Sequence, residues 1–155
     1  MRFPEKLSRS ISINSNNMIN INHLDRFSVY ADVPIRFLIG VHLLVGVLDN
    51  IVSWERMIEF EKFLEAQQFI FPLASAILSV YAQAICGLLF LIGWKIRIAA
   101  IVMIFNFLVA LLMVHWGDTY PNSFPAIAML MGSIFFLLNG SGKLSLDHYL
   151  GKRKN

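Results

Sequence analysis

Four long apolar stretches alternate with short polar segments along the chain. The clearest covers residues 98–114, seventeen residues that are apolar apart from Asn106 and that contain no charge, glycine or proline. As a helix this stretch is roughly 26 Å long, close to the ~30 Å hydrocarbon layer of a bilayer. Basic residues precede it and the pair His115-Trp116 follows it. We therefore interpret it as a membrane span.

Three further stretches predict membrane-spanning helices, at residues 34–54, 72–94 and 124–138. Asn122 or Ser123 is expected to cap the last of these helices, with Pro125 in its first turn, where a missing N–H is tolerated. The pattern predicts an all-α fold, a transmembrane bundle of four helices.

The segments outside the spans divide the chain into regions. Residues 55–71 alternate charged and apolar side chains. This alternation fits a short amphipathic helix in the membrane interface, and it fits equally well a loop that caps the bundle. Residues 1–33 are rich in Asn and Ser and predict a flexible tail. We thus expect this tail, a membrane domain at 34–150 and a basic C-terminal tail at 151–155.

The composition agrees with a protein that contacts the lipid bilayer. Of the 155 residues 57% are hydrophobic and 15% charged, and the mean hydropathy is +0.62. Soluble domains are about 45–50% apolar and about 25% charged.

Lysine and arginine are distributed unevenly between the two sides that four spans define. Eleven of the thirteen fall on the side of the termini, and only Arg56 and Lys62 fall on the other. By the positive-inside rule both termini are cytoplasmic. Membrane topology thus explains the net charge of +3, and we predict no nucleic-acid partner.

Cysteine and histidine do not supply a metal or dithiol centre. Cys86 is the only cysteine, which excludes an intrachain disulfide, a C-x-x-C pair and a cysteine-rich zinc site. The four histidines lack a zinc-binding spacing. A haem between His42 and His115 is excluded because the two differ by roughly 15 Å in depth. We predict no metal site and no covalently bound cofactor.

Three polar residues on three spans lie at one depth. Counted from the cytoplasmic ends, His42 lies ~12 Å, Gln83 ~16 Å and Asn106 ~15 Å into the membrane. We hypothesise that they line a polar pocket for a quinone headgroup or a similar small ligand. The alternative is a set of interhelical hydrogen bonds that fixes packing, each worth about 0.6 kcal/mol.

A second polar group is expected near the outer face, with Asp49, Asn50 and His115 as its main members. Asp49 and His115 are candidates for a pair between the first and third spans, where a histidine titrating near neutral pH would pass protons. A solvated interfacial cluster without function explains the same residues.

Several short motifs occur in a characteristic order between residues 36 and 147. They are an arginine and a glycine four apart, a glycine-flanked apolar run with an arginine after it, and a closing G-x-G-x-x-S-L-D segment. In this order they resemble the DoxX family of small four-span membrane proteins. The residues that carry the resemblance are Arg36, Gly40, Gly87, Arg97, Gly140, Gly142, Ser145 and Asp147.

Two positions depart from the family's pattern. Members often have a glutamate where this chain has Gln83, and many have a lysine where it has Asn50. If those two residues form a charged pair in relatives, this chain has lost both, and a proton or ion role that depends on the pair is not carried over.

The resemblance implies a multi-pass protein of the bacterial inner membrane that interacts with quinone. It implies an accessory membrane subunit of an oxidoreductase complex, including stress-related ones, rather than a self-sufficient enzyme. Electrons are then expected from a soluble oxidoreductase partner. The family also implies an alternative, a membrane chaperone or scaffold without enzymatic activity.

Overall fold

A computed structural model describes residues 30–152, which are helical throughout apart from short turns. In chain order the helices are α1 (Asp32–Val52), α2 (Trp54–Ala66), α3 (Pro72–Ile92), α4 (Ile96–Val109), α5 (Tyr120–Asn139) and α6 (Leu146–Lys152). A π-helical turn, Ala110–Val114, continues α4. The predicted flexible tail lies outside the described residues up to position 29, and so do residues 153–155.

Four helices are long and apolar enough to cross a membrane, namely α1, α3, α4 with its π-helical turn, and α5. Large apolar side chains cover their outer surfaces, among them Phe37, Val45 and Phe105. Such a surface suits contact with lipid tails and would be costly in water. The predicted all-α bundle of four membrane helices is confirmed.

The fourth span is longer than predicted. α5 has twenty residues, roughly 30 Å, and begins four residues before the expected start. The prediction that Asn122 or Ser123 caps the helix is wrong, because Thr119 is the N-cap residue and Ser123 Oγ donates to the Thr119 carbonyl (3.4 Å). Pro125 consequently lies inside α5 rather than in its first turn.

Other helix ends also differ from the sequence pattern. α1 begins at Asp32, so its first two residues belong to the predicted tail. α2 ends five residues before the predicted position 71, next to Gln68 with its φ of +63°. Gly93 is the C-cap residue that follows α3, and its φ of +77° lies in the left-handed region that favours glycine. The short helix α6 was not predicted.

The spanning helices pack in a sequence of antiparallel neighbours. α1 packs against α3, α3 against α4 and α4 against α5, whereas α1 and α5 make few contacts. α1 and α3 approach closely at Gly40 and Gly87, since a Cβ on Gly40 would lie 2.9 Å from the Gly87 carbonyl oxygen. Small residues of this kind let membrane helices come together.

The two ends of the bundle are covered differently. The basic end holds the start of α1, the α3–α4 turn, the end of α5 and α6. The opposite, far end is covered by α2, whose Met57 and Leu64 are buried against Val47, Ala76 and Val80. The segment after the first span is therefore an amphipathic helix that also caps the bundle.

Candidate functional site

A cavity of about 190 Å³ lies in the far half of the bundle, between α1, α3, α4 and α5. Three polar side chains line it, those of His42, Gln83 and His115. The remaining lining is apolar or small and consists of Gly46, Phe107, Ala110, Pro125, Ala126 and Met129. An apolar pocket with a few polar groups is the usual form of a small-ligand site.

The cavity lies where α1 and α5 separate. Nearer the basic end the two helices touch, because Ile39 packs directly over Gly132. Further along, a Cβ on Gly46 would meet no atom within 4 Å, and His42 is exposed although it lines the cavity. The cavity thus opens sideways between α1 and α5, onto the surface that faces lipid.

Two backbone irregularities border the cavity. Pro125 has no N–H to donate to the carbonyl one turn earlier in α5. The π-helical turn Ala110–Val114 widens the end of α4 and closes with the His115 N–H donating to the Ala110 carbonyl (3.0 Å). Turns of this kind occur frequently at functional sites, and spanning helices tolerate an internal proline.

The three residues predicted to share a pocket separate into two groups. His42 and Gln83 line the same cavity, and Asn106 does not. The next residue, Phe107, takes its place because it is turned by about 100° around the helix axis. The prediction of a shared pocket used only the depth of each residue along its helix. Depth does not show in which direction a side chain points around the helix axis. Gln83 also donates to Ser79 Oγ (3.1 Å), one turn away in α3.

The predicted outer cluster does not form as a pair between spans, and His115, predicted at a different depth from His42, lines the same cavity as His42. His115 Nδ1 bonds to the Asp118 carboxylate (2.9 Å) rather than to Asp49. Asp49 instead accepts the backbone N–H of Asn50 (2.9 Å), and Asn50 donates to the Arg56 carbonyl (3.1 Å). Histidine and aspartate three residues apart, in the turn after a helix, are a local signal that could have indicated this pair.

At the basic end Arg36 holds the segment between α5 and α6, residues 140–145, which we call the closing loop. Arg36 is buried, and its guanidinium donates to the carbonyls of Ser141 (2.7 Å) and Leu144 (2.6 Å). Asp32, also buried, lies 3.8 Å from Arg36. Because a Cβ on Gly142 would overlap the Asp32 carboxylate, only glycine fits there.

Asp147 joins the chain's C-terminal part to the start of α4. Its carboxylate accepts the backbone N–H groups of Lys95 (2.9 Å) and Ile96 (3.3 Å), which have no partner within the helix. Its own N–H donates to the Gly93 carbonyl (3.1 Å). Asp147 thus acts as a helix cap supplied from a distant part of the sequence.

The remaining motif residues pack around these two anchors. Ser145 Oγ donates to the Gly142 carbonyl (2.7 Å) and accepts the His148 N–H (3.1 Å). The Arg97 guanidinium lies beside Gly140, 3.6 Å from where a Cβ would stand. Within residues 30–152 the motif residues therefore lie in the α1–α3 contact and at the basic end, and none lines the cavity.

Comparison with known proteins identifies a family and a relative that each match part of the chain. The DoxX family model matches residues 31–116, more than half of the chain. The uncharacterised membrane protein Rv3486 of Mycobacterium tuberculosis is 29% identical over 85 residues, covering 46% of this chain and 52% of that protein. The matched part thus spans about half the length of that curated relative. No solved structure matches significantly.

The family match covers α1 to the end of the third span. It includes Arg36, Gly40, Gly87 and Arg97. It ends before α5 and the closing loop, so the G-x-G-x-x-S-L-D segment stays a resemblance of sequence that the match does not reach.

Proposed function

The chain belongs to the DoxX family of multi-pass membrane proteins, and we propose that it is a quinone-interacting membrane subunit of an oxidoreductase complex. The observation that carries this proposal is the cavity lined by His42, Gln83 and His115, with its opening towards lipid. Both termini are cytoplasmic in this proposal, and the membrane is the bacterial inner membrane. The cavity then lies in the outer half of the bilayer.

The dimensions of the cavity favour a headgroup with an external tail. Pockets that enclose a drug-sized ligand measure about 300–1,000 Å³, and this one is smaller, at about 190 Å³. One small ring is a suitable occupant if the rest of the molecule remains outside. The gap between α1 and α5 lets an isoprenoid tail extend into lipid, where a quinone resides.

The polar side chains suit the two oxygens of a quinone ring. Gln83 donates one amide N–H to Ser79 Oγ and keeps its second N–H for a quinone oxygen. His115 uses Nδ1 on Asp118 and keeps Nε2. Phe107 and Met129 provide apolar contacts for the ring. The cavity therefore offers hydrogen bonds at its polar side and an apolar surface elsewhere.

A bound quinone supplies an acceptor of two electrons and two protons. In this proposal a soluble oxidoreductase partner donates the electrons. Protons reach the cavity through His115 and Asp118, which lie at the far end of the bundle beside the aqueous surface.

The direct test is binding of a short-chain quinone analogue to purified protein. Gln83→Leu replaces the polar amide with an apolar side chain of similar size. We expect about a tenfold loss of affinity, because one hydrogen bond to the ligand disappears. Asn106→Leu is the matched control, since Asn106 lies at the same depth outside the cavity, and it should leave affinity unchanged.

Unchanged affinity in Gln83→Leu would contradict the proposal, and so would an equal loss in Asn106→Leu. Stable association with another membrane protein, together with no quinone binding by the wild type, would favour the chaperone or scaffold alternative. Association with a soluble oxidoreductase, together with quinone binding, supports the subunit.

A further inference from the structure

A second cavity, of about 690 Å³, lies at the basic end between the start of α4, the end of α5 and α6. Lys95, Arg97 and His148 line it with the closing-loop glycines Gly140 and Gly142. It is separate from the quinone cavity, because no residue lines both. Neither the family match nor the relative's name assigns a role to it.

The cations of this cavity have no acidic partner among residues 30–152. The ion pairs in this part of the chain are Asp32–Arg36, Arg56–Glu59 and His115–Asp118. Asp147 also lines the cavity, but its carboxylate binds the backbone N–H groups of Lys95 and Ile96. The positive charges of Lys95 and Arg97 are thus available to a ligand.

An apolar surface continues from the cavity along α4. Ile98 lines the cavity and is also exposed, and Ile101 and Phe105 extend the exposed apolar surface towards the middle of the membrane. Trp94 lies at the level of Lys95, whose ammonium is 5.0 Å from the ring centroid. Tryptophan and lysine at a span end are typical of the headgroup level of a bilayer.

From this juxtaposition we propose that the cavity binds the phosphate of an anionic phospholipid headgroup. Arg97 and Lys95 form charge-assisted hydrogen bonds with the phosphate oxygens, and the acyl chains lie along Ile98 and the outer surface of α4. Basic pockets between spanning helices bind lipid headgroups elsewhere by the same chemistry. The apolar continuation favours a lipid over free phosphate, which needs no such surface.

Native mass spectrometry of detergent-purified protein, titrated with phosphatidylglycerol, tests the proposal. Arg97→Gln should weaken binding at least tenfold, because a direct charged contact is lost. Lys143→Gln is the matched control: it removes one charge from the closing loop, is exposed and does not line the cavity. If Lys143 contributes only long-range attraction, its loss should weaken binding by about fivefold at a membrane surface and by less in detergent.

Phosphatidylcholine and inorganic phosphate are the comparison ligands. Weaker binding of both than of phosphatidylglycerol supports the proposal, as does retention of lipid binding by Arg97→Lys. Equal binding of phosphatidylcholine overturns it, as does an equal loss in Lys143→Gln. Competition by inorganic phosphate at similar concentration overturns the lipid assignment. If Arg97→Gln does not fold, Lys95→Gln provides the same comparison.

Discussion

Polar side chains have different partners at the basic end and in the far half of the bundle. At the basic end, Arg36 and Asp147 bind backbone groups of a loop and of a helix start. In the far half, His42 and Gln83 line an open cavity beside an irregular stretch of backbone. Arg36 and Asp147 thus stabilise the fold by joining distant segments, whereas His42 and Gln83 make no hydrogen bond to another helix among the described residues.

The largest effect is expected from removing the guanidinium at the basic end. Arg36→Met leaves the buried Asp32 unpaired and deprives two carbonyls of their donor. The free energy of unfolding should fall by about 3–5 kcal/mol. Thermal unfolding in detergent measures it. Arg56→Gln is the control, since its pair with Glu59 is exposed and should contribute nothing measurable. Equal midpoints for the two variants would contradict our account of Arg36.

Glycine substitutions compare the tight and the open parts of α1. In Gly40→Ala the new Cβ would lie 2.8 Å from the Leu91 side chain and 2.9 Å from the Gly87 carbonyl. Overpacking of this kind should lower stability by about 1–3 kcal/mol. Gly46→Ala meets no atom within 4 Å and should raise stability by up to about 1 kcal/mol through helix propensity. Unfolding midpoints that shift in the same direction would refute the comparison.

The distant helix cap should have an intermediate effect. Asp147→Ala removes the acceptor for the first N–H groups of α4, and we expect a loss of about 1 kcal/mol. Asp147→Asn keeps one oxygen and should lose less. Hydrogen exchange of the Lys95 and Ile96 amides provides the measurement: it should become faster in Asp147→Ala, and unchanged exchange would contradict the capping role of Asp147.

The smallest effect on stability is expected in the far half. Gln83→Leu loses the hydrogen bond to Ser79, worth about 0.6 kcal/mol on average between polar groups in membranes. Its unfolding midpoint should therefore remain near that of the wild type while quinone affinity falls. A large loss of stability would mean that Gln83 stabilises the fold, as Arg36 and Asp147 do at the basic end.

The sequence predicted the spans well because hydropathy over about twenty residues depends little on tertiary contacts. It located the last span less well, because a proline favours the first turn of a helix, whereas α5 begins five residues before Pro125 and continues through it. Counting residues predicted similar depths for His42 and Gln83, and the two side chains line the same cavity. Counting residues did not predict their rotation relative to Asn106, because small errors in helix phase accumulate over several turns.

Partners distant in sequence were the least predictable part of the site. The resemblance singled out Arg36 and Asp147, but nothing in the sequence shows that Arg36 binds loop carbonyls or that Asp147 caps a helix fifty residues earlier. The π-helical turn at Ala110–Val114 has no sequence signature in an apolar run.

Because Asp147 and the closing loop follow all four spans in the chain, the ribosome makes them after the spans. During membrane insertion Arg36 enters the bundle long before the carbonyls of Ser141 and Leu144 exist. A nascent chain that stops at α5 leaves that arginine without those acceptors. We expect membrane quality-control proteases to degrade such a product, so synthesis of the closing loop would protect the spans that precede it.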